Sequence, residues 1–332
     1  MKTSELLKRF SKLHGPSGFE SEVMKAIGDV IETDADKLEI DRMGNLIAHR
    51  NPTGSPKIGI FAHVDEIGAV VSKLEGNGFA RISPVGGVDI KTWLAQRVRI
   101  STAQGPVKGV LGVIAPHLTG GRESKEPNFD DAFVNVLDGY ERVKVGDPIT
   151  LDVNPVELSN NTISGKAFDN RAGCAALVRA MNLLKRYVHR AGVVFVFNTT
   201  EEVGGPGAQT SAYRLGITHA IIVDTTFANE KTGEVSEIAL GEGPAIGVGP
   251  SCDPEFVNFA LEIAENLKIP HQVEALPGRS GTDSDHVQLV RTGVKTLVVT
   301  IPLKYMHTPC EVVSVEDVET TARLLVEIVS RL

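Results

Sequence analysis

Apolar stretches of this chain end repeatedly on side chains that can bind a cation or move a proton. IGIFA runs into His63, Val64 and Asp65; VVFVFNTT runs into Glu201 and Glu202; AIIV ends on Asp224; LVVTI is followed shortly by His307. Asp169 directly precedes a helical stretch. In open α/β sheets functional groups collect just past the carboxyl ends of strands, so a sheet could bring this set together. Two imidazoles and three carboxylates would make an oxygen-rich shell with two nitrogens, suited to a pair of divalent ions such as Zn(II), Co(II) or Mn(II). Two ions about 3.5 to 4 Å apart clamp one hydroxide and polarise a carbonyl together, which requires a carboxylate shared between them.

The spacing carries further detail. If its strand continues, His63 and Asp65 project from one face, so one can bind while the other orients it. Glu201 and Glu202 are neighbours, and an extended backbone points them opposite ways, which suits a ligand beside a general base. Each residue also has a plainer reading. HxD can be a strand-end histidine capped by a turn aspartate, the Glu pair can be solvated loop charge, Asp169 can be a helix N-cap, and Asp224 can be an ordinary turn residue.

The elements that would hold these residues follow from periodicity. Helical spacing is expected over 4–13, with Leu6, Leu7, Phe10 and Leu13 on one stripe, and again over 20–32 after the HGPSG break. Short strands follow at 38–41, 45–49 and 57–62. From Gly68 to about Asn160, β-branched runs such as RVRI and VKGVLGVI alternate with GG, GP and DP turns and no convincing helix, which predicts a compact β-barrel or sandwich. A βα alternation then begins: helix 170–187, strand 193–198, helix 208–215, strand 219–224, helix 254–267, strand 271–274, helix 283–291, strand 294–300 and helix 315–330. The expectation is a split α/β domain, a mixed sheet flanked by helices, interrupted by an inserted small β-barrel-like domain. Its parts are residues 1–68, 69–160 and 161–332.

Composition narrows the function. The 332 residues are 42% hydrophobic, enough for a substantial core, while aromatics are 5%, too few for a sugar-stacking cleft. A formal charge of −8 without a basic run speaks against nucleic acid as a partner. Cys174, Cys252 and Cys310 are odd in number and far apart, so a reducing cytoplasmic setting is expected. The opening MKTSELLKRFSKLHG offers no signal-peptide core, and no run of eighteen apolar residues occurs, so no membrane association is expected. His117 is read as a structural or interface residue, His286 as a helix-surface residue or one supporting the ligands from behind, and Cys310 as buried or inert. No GxSxG elbow or Walker A loop is present, so no nucleotide cofactor is implied.

As an ordered set, AHVDEIG, GKAFDNRAG, TTEEVGGPGA, VDTTFA, GTDSDHV and PLKYMHTPCEVV resemble the M42 family of dinuclear metallo-aminopeptidases, which includes the tetrahedral peptidases and proteins labelled endoglucanases. The resemblance spans nearly the whole chain. It implies two divalent metal ions per subunit, with Asp169 bridging them, His63 and Asp224 completing one site, and Glu202 and His307 the other. Glu201 would be the general base acting on the bridging water, and Asp65 would orient His63. The resemblance further implies a cis peptide between Asp169 and Asn170, short peptides as substrates, and a dimerisation role for the β module within hollow tetrahedral dodecamers. The TTFANE stretch and Arg279 depart from relatives near the expected pocket rim. A glycoside hydrolase using paired carboxylates and a catalytically silent scaffold protein are the alternative functions. Adjacent Glu201 and Glu202 make a poor glycosidase pair, whose carboxyls flank a sugar bond about 5 to 9.5 Å apart.

Overall fold

A computed structural model describes residues 1–113, 116–118, 126–228, 231–232, 234–235 and 238–332. Asn229 and Glu230 of the TTFANE stretch lie outside them. Four strands form the parallel centre of the large sheet, in the order Gly192–Asn198, Lys57–His63, His219–Phe227 and Lys295–Lys304. The first three are buried over nearly their full length, which is why they read as continuous apolar runs. Antiparallel neighbours extend the sheet, with Leu46–Arg50 and Lys37–Ile40 beyond one side. Glu311–Ser314, Thr162–Gly165 and Val156–Glu157 lie beyond the other. Ala245–Val248 and Gln272–Ala275 branch from Lys295–Lys304. The mixed sheet flanked by helices is thus as expected.

Helix Phe168–Leu184 packs against helix Val315–Arg331 and the sheet centre. Its stripe of Cys174, Leu177, Val178, Met181 and Leu184 is buried, joined by Ala172, Ala175, Ala176 and Ala180. Small side chains let the helix be covered on nearly every side. Between Gly68 and Leu151 six antiparallel strands close into a barrel, in the order Gly68–Gly76, Phe79–Val85, Phe133–Asn135, Gly105–Leu111, Arg97–Thr102 and Pro148–Leu151. It encloses its own apolar cluster around Trp93, Val98, Ile100 and Val134. Closure removes exposed edges, so a barrel rather than a sandwich forms.

Two local expectations change. A single helical turn, Ile90–Trp93, interrupts the barrel; Asp89 caps it through the Lys91 N–H, and it drives Trp93 into the barrel core. The helix expected over 283–291 is regular only over Ser284–Val287. Arg291 and Gly293 take left-handed φ of 57° and 103°, reversing the chain into Lys295–Lys304.

Candidate metal centre

The structure brings together all seven residues singled out above. His63 ends its strand and is 2% exposed. Its Nε2 lies 3.4 Å from Asp169 Oδ1 and 3.6 Å from Asp224 Oδ1. His307 Nε2 lies 3.2 Å from Asp169 Oδ2 and 3.1 Å from Glu202 Oε1. Asp169 therefore turns one oxygen toward each imidazole. Two overlapping triads result, His63/Asp169/Asp224 and Asp169/Glu202/His307, with ligand atoms in each within 4.8 Å of one another.

Local conformation explains how each side chain arrives. Asp169 and Asn170 depart from helical angles at the start of helix Phe168–Leu184, and the peptide between them is cis, as the resemblance implied. The N-cap reading of Asp169 does not hold. Asn170 serves instead: its Oδ1 accepts the Gly173 N–H at 3.1 Å and its Nδ2 donates to the Val223 carbonyl at 2.7 Å. Asp169 is left free to face the cleft. Glu201 and Glu202 are not split by a strand pleat, because the chain leaves the strand at Thr200, φ 60°, and forms a 3₁₀ turn over Glu201–Val203. Glu202 faces His307, while Glu201 Oε2 stands 4.0 Å from His63 Nε2. Among the described residues no donor is hydrogen-bonded to the Glu201 carboxylate.

Asp65 fastens both segments. Its Oδ1 accepts the Glu201 N–H at 3.1 Å, its Oδ2 accepts the Glu202 N–H at 3.2 Å and the Ser17 hydroxyl at 2.7 Å. His63 Nδ1 lies 3.5 Å from Oδ1 and 3.2 Å from the Asp65 carbonyl. At the other imidazole, His307 Nδ1 faces the Gly87 carbonyl of the barrel at 3.1 Å, and a Cβ on Gly87 would stand 3.1 Å from that nitrogen.

Electrostatics make the cluster a candidate cation site. Burial pushes Glu201 up to about 10, aided by the carboxylates of Asp224, Asp283 and Glu202 against the opposing His63. Burial likewise raises Asp224 and Glu202. Burial would lower His307, but Asp169 and Glu202 outweigh it and hold the imidazole up at about 11. So many acids around two imidazoles, in geometries that share Asp169, are a donor set for divalent cations.

Three further groups escaped sequence reasoning. Glu311 Oε2 accepts the backbone N–H groups of Phe168, at 2.6 Å, and Asp169, at 3.3 Å, while its Oε1 accepts that of His307 at 3.0 Å. Arg171, fully buried, donates to the carbonyls of Phe10, Leu13 and Val64 and to Glu66, which also takes Lys166 at 2.6 Å. Asp283 accepts from Asn198 Nδ2 at 2.7 Å, and burial raises it to about 7. The only signal was position: Glu311 lies four residues past His307, and Arg171 two past Asp169. Of the residues set aside, His117 and Cys310 are exposed, and His286 lines a hollow together with Arg279, which is not among the residues lining the cleft.

Comparison with known proteins agrees with this geometry. The model of the M42 glutamyl aminopeptidase family matches residues 44–324. The lysyl aminopeptidase of Pyrococcus furiosus is 34% identical over 96% of this chain and 94% of its own. An aminopeptidase from Desulfurococcus kamchatkensis superposes with a TM-score of 0.91 at 34% identity, covering 99% of this chain and 95% of that one. The TET1 peptidase of Pyrococcus horikoshii, which can assemble into a tetrahedron or a large octahedral shell, gives 0.89 at 28% identity over the whole of both chains. A cleft of paired histidine–carboxylate triads on a matching fold places this chain in the M42 glutamyl aminopeptidase family, as a metallo-aminopeptidase of the hydrolase class.

Proposed function

We propose that the protein removes N-terminal residues from short peptides, with Asp169 shared between two divalent ions, His63 and Asp224 completing one site and Glu202 and His307 the other. Zn(II) suits this oxygen-rich shell with its two nitrogens, with Co(II) or Mn(II) as substitutes. Such ions, when bound, polarise a peptide carbonyl and make water acidic enough to react near neutral pH. The observation that carries the reading is the Asp169 carboxylate, presenting one oxygen to each imidazole with Glu201 unclaimed beside it.

Glu201 then acts as general base, since the positive charge of bound divalent ions would pull its carboxyl back down from the value that burial among uncompensated acids gives it. It takes a proton from the attacking water and returns it to the departing amine, a task that needs a carboxylate free of other donors. Asp65 holds the His63 ring and the Glu201–Glu202 turn while this happens. The acids lining the cleft favour the α-ammonium group of a peptide's first residue over an internal peptide bond, which carries no charge.

The inserted part, 69–160 of the division 1–68, 69–160 and 161–332, is proposed to mediate dimerisation, with dimers assembling into a tetrahedral dodecamer. Exposed Val110, Leu137 and Val145 on the barrel and the assembly of the Pyrococcus horikoshii relative support this. Light scattering should then give the mass of twelve chains. Among the described residues no helix is long and apolar enough to cross a membrane. All three cysteines are unpaired, which supports a cytoplasmic setting. The deciding experiment is a panel of aminoacyl chromogenic substrates assayed after exhaustive chelation and again after loading with Zn(II), Co(II) or Mn(II). Turnover should depend on loading; full turnover in a sample shown to be metal-free would overturn the reading.

A further inference from the structure

The cleft that contains the ligand cluster, about 290 Å³ in all, continues past it among Thr226, Glu274, Leu276, Val298, Thr300 and Met306. Thr226 follows Asp224 by two on one strand and so shares its face, and Thr300 pairs with Asp224 across to the neighbouring strand. These two hydroxyls hold Glu274. Thr226 Oγ1 donates to its Oε1 at 2.5 Å and Thr300 Oγ1 to its Oε2 at 2.8 Å. Two neutral donors fix the direction of the carboxylate without cancelling its charge. Among the described residues no lysine or arginine forms an ion pair with Glu274, and the exposed Arg279 lines a different hollow with Pro250, Asp285 and His286. Leu276, Val298 and Met306 add apolar lining to the same cavity.

An apolar lining combined with a fixed anion is complementary to a side chain with a methylene stem and a cationic tip. We infer that this hollow receives the side chain of the peptide's first residue and selects lysine or arginine, with Glu274 as the specificity-determining counter-charge. The inference rests on the aminopeptidase reading and extends it to a substrate class. A glutamyl side chain would bring carboxylate against carboxylate, so the selectivity of this chain runs opposite to the glutamyl preference in the family's description.

The test compares kcat/KM of the metal-loaded enzyme on Lys-, Arg-, Leu-, Met- and Glu-p-nitroanilide. The basic substrates should lead Leu and Glu by tenfold or more. In Glu274→Gln, which keeps shape and removes charge, the Lys-to-Leu ratio should fall at least tenfold, chiefly through KM for the basic substrate. Glu274→Lys should raise the Glu-to-Lys ratio; if that variant does not fold, the wild-type panel and the Gln variant still decide. A wild type that turns over Leu or Glu faster than Lys overturns the pocket assignment alone, as does a Gln variant that slows every substrate equally. No turnover of any aminoacyl substrate overturns the aminopeptidase reading, and this inference with it.

Discussion

Glu201 differs from the other acids of the cleft in having nothing to hold. Asp169, Asp224 and Glu202 each face an imidazole at 3.1 to 3.6 Å, whereas Glu201 comes no nearer to one than 4.0 Å. A group so placed binds metal weakly and exchanges protons freely. Glu201→Gln should therefore retain metal by elemental analysis and lose about 10²- to 10⁴-fold in kcat, the usual span for a removed general base. Near-normal kcat would remove the role. Asp65 is the opposite case, a carboxylate whose oxygens accept the Glu201 and Glu202 N–H groups and the Ser17 hydroxyl. Burial would raise it, but His63, the Ser17 hydroxyl and the Glu201 N–H outweigh burial and keep it ionised. Asp65→Asn substitutes an NH₂ for one oxygen that faces N–H donors, so the Glu201–Glu202 turn and the His63 ring both lose their anchor. Activity or metal affinity should fall about 10- to 100-fold, as for other partners of ligating histidines. Kinetics and metal titration indistinguishable from wild type would show that the ring is held by the Asp65 carbonyl alone.

At the scale of elements, the segments bearing the ligands are held in left-handed turns that favour glycine but here carry Ala167, Thr200 and His307, with φ of 59°, 60° and 62°. Something must hold them there. For Ala167 and His307 the nearest restraint is Glu311, whose two oxygens join the start of helix Phe168–Leu184 to the His307 turn. A glutamine can offer only one oxygen acceptor to these two sides. Glu311→Gln should cost about 1 to 3 kcal/mol, the usual range for a buried group left without its partner, and should weaken metal binding although it touches no ligand side chain. Unchanged thermal unfolding together with unchanged metal affinity would contradict this. Such a residue was not legible beforehand. His63, Asp224 and the Glu pair stood out because each terminates an apolar run, a pattern confined to a few neighbouring residues. Glu311 acquires its role from Phe168 and Asp169, 143 and 142 positions away, and in the sequence it is one more acid at the start of a short apolar run. Arg171 is similar, a charge inside a helix whose partners Phe10, Leu13 and Glu66 become neighbours only on folding. Periodicity reported the long elements, and it overextended the helix after Asp283 because the apolar Val287 and Val290 carry no signal for the reversal at Arg291.

Among the described residues two apolar cores form, one around the sheet and one inside the barrel, and hydrogen bonds between polar groups cross from one part to the other. Gly87 of the barrel faces His307, and Thr150 of the barrel is hydrogen-bonded to His14 in the segment after the first helix. His14 is buried beside Lys166, Glu66, Arg99 and Arg171. Burial and then the charge of Lys166 push its pKa down from 6.5 to about 3, with Glu66 opposing. The folded protein thus holds His14 neutral where the unfolded chain would protonate it. Its contribution to stability is complete above pH 6.5 and is lost as pH falls toward 3, at about 1.4 kcal/mol per pH unit. Carboxylates titrate over the lower part of that window, so wild-type urea unfolding alone would not isolate it, and a difference between two chains is required. His14→Gln keeps a polar partner for the Thr150 hydroxyl and cannot gain a proton. Between pH 7 and 4 its unfolding free energy should decline less steeply than that of wild type by up to one proton's worth. The two curves should converge as acid removes the advantage of the neutral imidazole. Parallel curves would mean that His14 protonates as readily in the folded state, and that the contact between barrel and sheet domain tolerates a positive charge at its centre.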